Sequence, residues 1–213
     1  MKIPLSPRLR ACCNFITPGH RVADVGTDHG YLGIWLLREG ICPSVIAADI
    51  GEGPLSAAKA NAQRFGLADK MQFCLSDGVQ DIPRDFDTLV IAGMGAQTMI
   101  HILENGPWLA GRTMVLQPQN KANMLRAWLS QKGWHIRREQ LVRDGRFIYA
   151  VMDVVHEPAP VLTPAQCWLS PALLTCDHPD LPEYIQRTLS TLRKNALSDP
   201  ECQLALTELE EAL

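Results

Sequence analysis

Long apolar runs are missing from this sequence. No run approaches the roughly 20 apolar residues that a membrane span needs, and no apolar stretch of the signal-peptide kind lies near its first residue. Its 213 residues are 46% hydrophobic and 20% charged, an ordinary balance for a globular protein. We therefore expect a soluble, cytoplasmic protein that holds one α/β domain and little else.

Cysteine is present without the spacing that metal sites and disulfide frameworks use. The seven cysteines form no Cys-x-x-Cys pair, and several lie inside apolar runs, as Cys74 does in the segment 71–75. This pattern predicts buried free thiols, with redox or metal roles as the alternative. No cluster of histidine, cysteine and carboxylate has ligand spacing, so we expect no metal.

A strong charge of either sign is also missing, although the small net charge of -3 hides an asymmetry. Residues 1–155 hold 17 Lys and Arg against 14 Asp and Glu, whereas residues 156–213 hold 3 against 9. A weakly basic front and an acidic tail are compatible with a nucleic-acid partner on the front part only. We expect the acidic tail to face away from phosphates.

The hydrophobic pattern alternates between strand and helix as far as residue 155. Strands are predicted at 20–25, 44–49, 71–75, 88–92, 113–116, 134–142 and 147–155, and helices at 5–16, 30–38, 54–65, 97–103 and 121–132. Asp144-Gly145 between the last two strands is typical of a hairpin turn. The sequence predicts an α/β, Rossmann-like domain of about seven strands, with the last one antiparallel.

Pro158, Pro160 and Pro164 mark a boundary after this domain. Three helical stretches follow, at 164–174, 181–197 and 199–213, and the two longer ones are expected to pack as an antiparallel pair. We predict a domain at 1–156 and a small C-terminal helical, coiled-coil-like extension at 157–213.

The end of the first strand carries an unusual glycine motif. Gly26 and Gly30 would let a main chain approach a ligand, but Asp28 occupies the place of the second glycine of a dinucleotide-binding motif. Two carboxylates, Asp24 and Asp28, suit an ammonium or sulfonium ligand better than a pyrophosphate. This favours a methyl donor, S-adenosylmethionine, over NAD; the alternative is a turn with no ligand.

Acidic residues also follow the next two strands. Asp49, with Ile50 beside it, ends the second strand, where an acid accepts hydrogen bonds from ribose hydroxyls. Asp77-Gly78 follows the third strand, where an acid can bind an adenine amino group. A helix N-cap for Asp49 and a simple turn for Asp77 are the alternatives. The order of acids at three successive strand ends supports a cofactor site.

The fourth and fifth strands end in residues suited to a second ligand. Gly93-Met94-Gly95 would let the main chain approach both ligands, and Gln117 has an amide that can read a nucleobase edge. His29 is a candidate general base. The alternative for Gly93-Met94-Gly95 is a turn that only connects strand to helix, and the alternative for Gln117 is a surface turn. The alternative for His29 is a histidine that only begins a helix.

Together these motifs resemble the bacterial tRNA (adenine-22-N1)-methyltransferases, in order and over about residues 3–155. The matching segments are Ser6-Pro7-Arg8-Leu9, Asp24-Val25-Gly26-Thr27-Asp28-His29-Gly30-Tyr31-Leu32, Ile91-Ala92-Gly93-Met94-Gly95, Leu116-Gln117-Pro118, Leu125-Arg126 with Trp128-Leu129, and Asp144-Gly145-Arg146-Phe147 with Tyr149. The chain departs from its relatives at Ala96 and Gln119. The resemblance implies a class I methyltransferase domain with a helical extension, S-adenosylmethionine as cofactor and tRNA as substrate.

The resemblance also implies roles for residues. The cofactor set is Asp24, Gly26, Asp28, Gly30, Asp49, Ile50, Asp77, Gly78, Gly93, Met94 and Gly95. The catalytic set is Asp28, His29, Met94 and Gln117, in which Asp28 or His29 orients the base or accepts a proton after transfer. Adenine N1 has an in-plane lone pair, so it can attack the methyl group without prior deprotonation.

Contact with tRNA is expected through the basic surface of the front domain. The candidates are Arg8, Arg10, Arg112, Lys121, Arg126, Arg137, Arg138, Arg143 and Arg146. The alternatives are a small-molecule or other-RNA methyltransferase, an NAD-dependent oxidoreductase and a non-catalytic binding module. The oligomeric state is left open, with a monomer favoured.

Overall fold

A computed structural model describes residues 2–212, which contain seven strands in one sheet. The strands are β1 (Val22–Val25), β2 (Val45–Asp49), β3 (Met71–Leu75), β4 (Thr88–Met94), β5 (Thr113–Pro118), β6 (Trp134–Asp144) and β7 (Phe147–His156). The helices are α1 (Pro7–Cys13), α2 (Tyr31–Arg38), α3 (Glu52–Arg64), α4 (Ala96–Glu104), α5 (Ala122–Gln131), α6 (Pro164–Trp168), α7 (Pro171–Leu174), α8 (Leu181–Asn195) and α9 (Pro200–Ala212). The predicted alternation of strands and helices is confirmed.

The sheet has the order β3-β2-β1-β4-β5-β7-β6. The neighbours from β3 to β5 pair in parallel, and β7 pairs antiparallel with both β5 and β6. The predicted Rossmann-like sheet with an antiparallel last strand is therefore confirmed. From β1 the chain runs to β2 and β3 on one side, and from β3 it returns to β4 on the other side of β1. Ligands of such sheets bind beyond the strand ends at this switch point.

Three helices begin with a hydroxyl side chain followed by proline. Ser6, Thr163 and Ser170 each accept a hydrogen bond from a first-turn N–H, and proline occupies the first helical position. The prediction of one helix over 164–174 is wrong for this reason. Leu169 is extended and Ser170 caps a second helix, because a residue before proline disfavours helical backbone.

The helical extension shares its core with the sheet. Leu173, Leu192 and Leu209 are buried in the same apolar cluster as Leu116 and Met152 of the central strands. Helix α9 packs on α8, as expected, and also on α6. Residue 213, the end of the predicted last helix, lies outside the described residues.

A buried ion pair joins the extension to the domain. Arg126 of α5 is only 1% exposed, and its Nη2 lies 3.0 Å from Glu139 Oε1 on β6. Its Nη1 donates to the carbonyls of Cys167 and Trp168 at 3.1 Å each. Burial acts to lower the pKa of Arg126, but the negative charge of Glu139 outweighs it and holds that pKa above its usual range. Removing either partner would leave a buried charge uncompensated.

Two simpler features complete the fold. No helix within residues 2–212 is long and apolar enough to cross a membrane. All seven cysteines are free thiols, and Cys12, Cys13, Cys42 and Cys202 are buried. Burial raises the pKa of the Cys12 and Cys42 thiols to about 12, so these groups stay protonated and inert.

Candidate functional site

A cavity of about 390 Å³ opens at the ends of β1, β2 and β4, at the switch point of the sheet. It brings together seven of the predicted site residues: Asp24, Gly26, Asp28, His29, Asp49, Gly93 and Met94. Its other lining residues are Arg8, Leu9, Thr27, Tyr31, Leu32, Ala92 and Gln119. The cavity is therefore formed by segments that are far apart in the sequence.

Asp24 is a buried carboxyl group in the cavity with a raised pKa. It is buried in β1, and the Thr27 hydroxyl donates to its Oδ2 at 2.7 Å. Loss of water raises the pKa of Asp24 to about 6; the Thr27 hydrogen bond opposes this rise, and the negative charge of Asp49 adds to it. A buried carboxylate in a cavity attracts a cationic group, because such a ligand stabilises the charged form.

The loop after β1 approaches the neighbouring strands closely. Gly26 has φ +78°, and a Cβ atom there would overlap Cε of Met94. Asp28 also has a positive φ, +52°, although it is not glycine. Its main-chain N–H donates to Oδ2 of Asp49 at 3.2 Å, which ties this loop to the end of β2.

Asp49 organises the end of β2. While Oδ2 accepts from Asp28, Oδ1 accepts from the N–H of Gly51 at 3.0 Å. Ile50 follows with 71% exposure, and Asp77 is exposed at the end of β3. Neither residue lines the cavity.

Three predicted glycines have structural surroundings outside the cavity lining. Gly30 begins α2 and lies against Ala58, and Gly78 lies against Ile102. Gly95 precedes α4 and packs near the side chain of Asn120. Close packing accounts for these glycines, and direct ligand contact stays a prediction for each.

The wall at β4 and β5 is held by a buried amide. Gln117 is fully buried, and its Oε1 accepts from the N–H of Gly93 at 3.1 Å and from Nη1 of Arg8 at 3.4 Å. Its Nε2 donates to the carbonyl of Pro118 at 3.0 Å. The structure therefore places Gln117 beneath the wall, where it positions Gly93. Gln119 lines the cavity in its place, and its N–H donates to the carbonyl of Met94 at 2.8 Å.

Arg8 is the residue whose place sequence reasoning missed. It was considered as a phosphate contact, but its guanidinium lies over Gly93, where an added Cβ would be 2.6 Å from Nη1. Its Nε lies 3.6 Å from Oδ2 of Asp144, on the hairpin between β6 and β7. Ser6-Pro7 indicates locally that a helix begins next to Arg8. The contact between Arg8 and Gln117 joins residues 109 positions apart, and no local pattern in the sequence indicates it.

His29 lies at the mouth of the cavity. Its side chain is about half exposed, and Nε2 is 3.6 Å from Oδ1 of Asp28. Its ring is 5.7 Å from that of Tyr31, and its carbonyl accepts from Asn61. Within residues 2–212, no group of three histidine, cysteine or acidic side chains is arranged to hold a metal ion.

The candidate phosphate contacts are mostly paired with acids. The prediction that Arg126 contacts phosphates is wrong, because Arg126 is buried against Glu139. Arg137 and Arg138 both bind the buried Asp153. Arg143 binds Asp180 and Glu183, Arg8 binds Asp144, and Arg10 stacks over Trp35.

Comparison with known proteins agrees with this geometry. A family model described as a methyltransferase domain matches residues 5–152. The tRNA (adenine(22)-N(1))-methyltransferase of Bacillus subtilis is 31% identical over 154 residues, which cover 71% of this chain and 65% of that protein. A Mycoplasma pneumoniae protein assigned as a tRNA methyltransferase is 36% identical over 159 residues, 71% of either chain. The chain belongs to this family of methyltransferase domains, and its relatives include bacterial tRNA methyltransferases.

A solved structure extends the similarity to the helical extension. A Streptococcus pneumoniae protein of this methyltransferase family, crystallised with S-adenosyl-L-methionine, is 28% identical with a TM-score of 0.86. The match covers 97% of this chain and 98% of that one. The sheet and the extension are therefore a shared architecture of the family.

Proposed function

We propose that this methyltransferase transfers a methyl group from S-adenosylmethionine to N1 of an adenine in tRNA. The observation that carries the proposal is the buried Asp24 carboxylate in a cavity at the switch point of the sheet. A ligand with an ammonium and a sulfonium charge fits this carboxylate. The cofactor of the S. pneumoniae relative has both charges.

The donor side is formed by the ends of β1, β2 and β3. Asp24 binds the ammonium group, and Asp49 accepts hydrogen bonds from the ribose hydroxyls. Ile50, Asp77 and Gly78, which follow β2 and β3 outside the cavity lining, are assigned to the adenine end of the cofactor. The cofactor supplies an electrophilic methyl group, and the protein holds it toward Gly93 and Met94.

The acceptor side is formed by Gly93, Met94 and Gln119, with Arg8 above them. Because adenine N1 is already nucleophilic, catalysis depends mainly on alignment and exclusion of water. Gln117 holds the Gly93 N–H and fixes this wall. Asp28 or His29, at the cavity mouth, orients the base or accepts the proton that methylation makes acidic. A base stacked in tRNA must first be flipped out.

Several further parts of the proposal concern the whole protein. The front domain (1–156) carries catalysis and contacts tRNA through its basic surface, and residues 157–213 form the helical extension. We infer a cytoplasmic monomer.

The proposal is tested by incubating purified protein with labelled S-adenosylmethionine and total bacterial tRNA, followed by nucleoside analysis. We expect label in 1-methyladenosine, lost in Asp24→Ala and kept in Asp81→Ala, whose exposed carboxylate lies outside the cavity. Cofactor binding without label in tRNA would refute the acceptor assignment and favour another RNA or a small molecule. Absence of cofactor binding would refute the donor assignment.

A further inference from the structure

Gln119 presents an unoccupied amide at the cavity where β4 and β5 end. Its main chain is fixed, because its N–H donates to the carbonyl of Met94 at 2.8 Å. Its side chain is exposed and makes no hydrogen bond with any residue that the structure describes. A polar side chain held at its base and free at its tip is available to bind a ligand in this cavity.

The amide of Gln119 lies beside the main chain of Gly93. A Cβ atom added to Gly93 would be 3.7 Å from Nε2 of Gln119 and 2.6 Å from Nη1 of Arg8. Gly93 also has a positive φ of +81°, so a larger residue at this position would be strained as well as crowded. The amide and the guanidinium therefore lie on the same wall of the cavity, where the acceptor base is proposed to enter.

Methylation at N1 restricts the edge of adenine that a protein can hold. N1 lies on the Watson–Crick edge, and a hydrogen bond to it would occupy the lone pair that attacks the methyl group. The edge with N6 and N7 remains available and offers an amino donor beside an acceptor. On the corresponding edge guanine offers two acceptors, O6 and N7, and cytosine offers only its amino group. A protein group with one acceptor and one donor side by side would therefore select adenine and leave N1 free.

Gln119 has the only side-chain amide among the described residues that line the cavity. The carbonyl oxygen of an amide accepts hydrogen bonds and its NH₂ group donates them, so one side chain supplies both groups side by side. The carboxylates of Asp24, Asp28 and Asp49 only accept when they are ionised. Their charge suits the methyl donor, whereas the neutral amide matches the N6 and N7 atoms of an adenine.

Arg8 is the competing group on this wall, because an arginine binds O6 and N7 of guanine through two adjacent donors. Two of its three nitrogens are already engaged. Nη1 donates to Oε1 of Gln117 at 3.4 Å, and Nε lies 3.6 Å from Oδ2 of Asp144. Every pair of adjacent donors on this guanidinium includes one of these nitrogens, so Arg8 is poorly placed to read guanine. Its contacts instead hold the wall on which Gln119 lies.

We propose that Gln119 selects adenine as the acceptor base, its side-chain carbonyl accepting from the N6 amino group and its NH₂ group donating to N7. This inference rests on the proposed function and deepens it, because it names the residue that determines which base is methylated. The contact uses the edge next to N1 and leaves N1 free to face the methyl donor. Gln119 is also a position at which the chain departs from its relatives.

The test compares adenine with 7-deazaadenine, which keeps N1 and N6 but has a C–H group in place of N7. A tRNA that wild-type protein methylates is transcribed with either nucleotide, and kcat/KM is measured for wild type and for Gln119→Met. Methionine matches glutamine in length but has no amide. On the adenine tRNA we expect Gln119→Met to lower kcat/KM about 10–100-fold, the range for two hydrogen bonds to one base.

The decisive quantity is the preference for adenine over 7-deazaadenine, compared between the two proteins. The change of base alters N1 and the fold of the tRNA equally for both, so these effects cancel in the comparison. We expect the preference of wild type to exceed that of Gln119→Met about 3–10-fold, because only wild type has a hydrogen bond to N7 to lose. The matched control is Gln131→Met, an exposed position at the end of α5 and outside the cavity, which should behave like wild type. Cofactor affinity and melting temperature should stay unchanged in both variants.

Failure of this inference differs from failure of the proposed function. If wild-type protein methylates the adenine tRNA and Gln119→Met has the same preference between the two bases, Gln119 does not contact N7. The inference is then overturned and the proposed function stands. If wild-type protein methylates no adenine in either tRNA, the proposed function fails and the inference fails with it. Weaker cofactor binding by Gln119→Met would place this side chain on the methyl donor and would also overturn the inference.

Discussion

Replacing Asp24 by asparagine should stabilise the ligand-free protein while abolishing its cofactor binding. Burial raises the pKa of Asp24 from its ordinary value of 3.8 to about 6. This difference corresponds to about 3 kcal/mol by which folding disfavours the charged carboxylate near neutral pH. The asparagine side chain would have no charge to bury and could still accept from the Thr27 hydroxyl, which now donates to Oδ2 of Asp24.

The size of the effect depends on pH. Below about pH 4 Asp24 is protonated in both states, so the variant and wild type should be equally stable. As pH rises through the unfolded value and then the folded value of about 6, wild type loses stability and Asp24→Asn does not. The gain should therefore appear between about pH 4 and pH 6 and stay constant above that range.

Thermal unfolding without ligand at several pH values measures this difference. For a chain of this length about 3 kcal/mol corresponds to a rise of roughly 6–12 °C in melting temperature. Asp87→Asn is the control, with the opposite effect on stability. The hydrogen bonds from Arg21 lower the pKa of Asp87, so the loss of this carboxylate should destabilise the folded protein at pH values above that pKa. A variant Asp24→Asn that is less stable than wild type at pH 7.5, or a difference independent of pH, would refute the reasoning.

Three further substitutions test the packing of the cavity and of the helical extension. Gly26→Ala should lower cofactor affinity and lower the free energy of unfolding by about 1–3 kcal/mol, because its Cβ meets Met94 and its φ is positive. Calorimetry measures the affinity and thermal melting the stability, and unchanged values would contradict the close approach. Arg126→Met should lower the free energy of unfolding in urea by about 3–5 kcal/mol, because it leaves Glu139 buried and unpaired. Adding Glu139→Leu should restore most of this stability. A double variant as unstable as the single one would contradict the role of the pair. Gln117→Leu should lower the free energy of unfolding by about 1–3 kcal/mol, because it leaves the main-chain N–H of Gly93 in β4 without an acceptor. It should also lower kcat without changing cofactor affinity. An unaltered kcat would show that the amide has no positioning role.

Much of the fold follows from patterns that the sequence displays locally. The apolar strands and the Asp144-Gly145 turn predicted the sheet and its antiparallel last strand, and the structure confirms them. The break at Leu169 was missed even though Ser170-Pro171 repeats the helix-start signal of Ser6-Pro7. A helical hydrophobic period continues through such a signal, so period alone could not place the break.

The site was only partly predictable, because its walls depend on contacts between distant residues. Acids at strand ends could be located from the sequence, since parallel strands end at one edge of the sheet. The place of Arg8 over Gly93 and its contact with the buried Gln117 depend on the packing of α1 against β4, β5, β6 and β7, which no local pattern shows. Arg126 resembled a surface cation in the sequence, and only the packing of the extension shows that it is buried.

Backbone strain is concentrated at two residues other than glycine. Among residues 2–212, two residues other than glycine have a positive φ: Asp28 at +52° and Lys121 at +50°. Such a conformation costs free energy and persists where the surrounding structure holds it, most often at functional sites. Asp28 lines the cavity at the switch point of the sheet, and Lys121 precedes α5, two residues after Gln119 of the same cavity. Because both residues lie close to the walls of this cavity, strain at both is expected if the proposed methyl donor and its acceptor must be held in a fixed relative position.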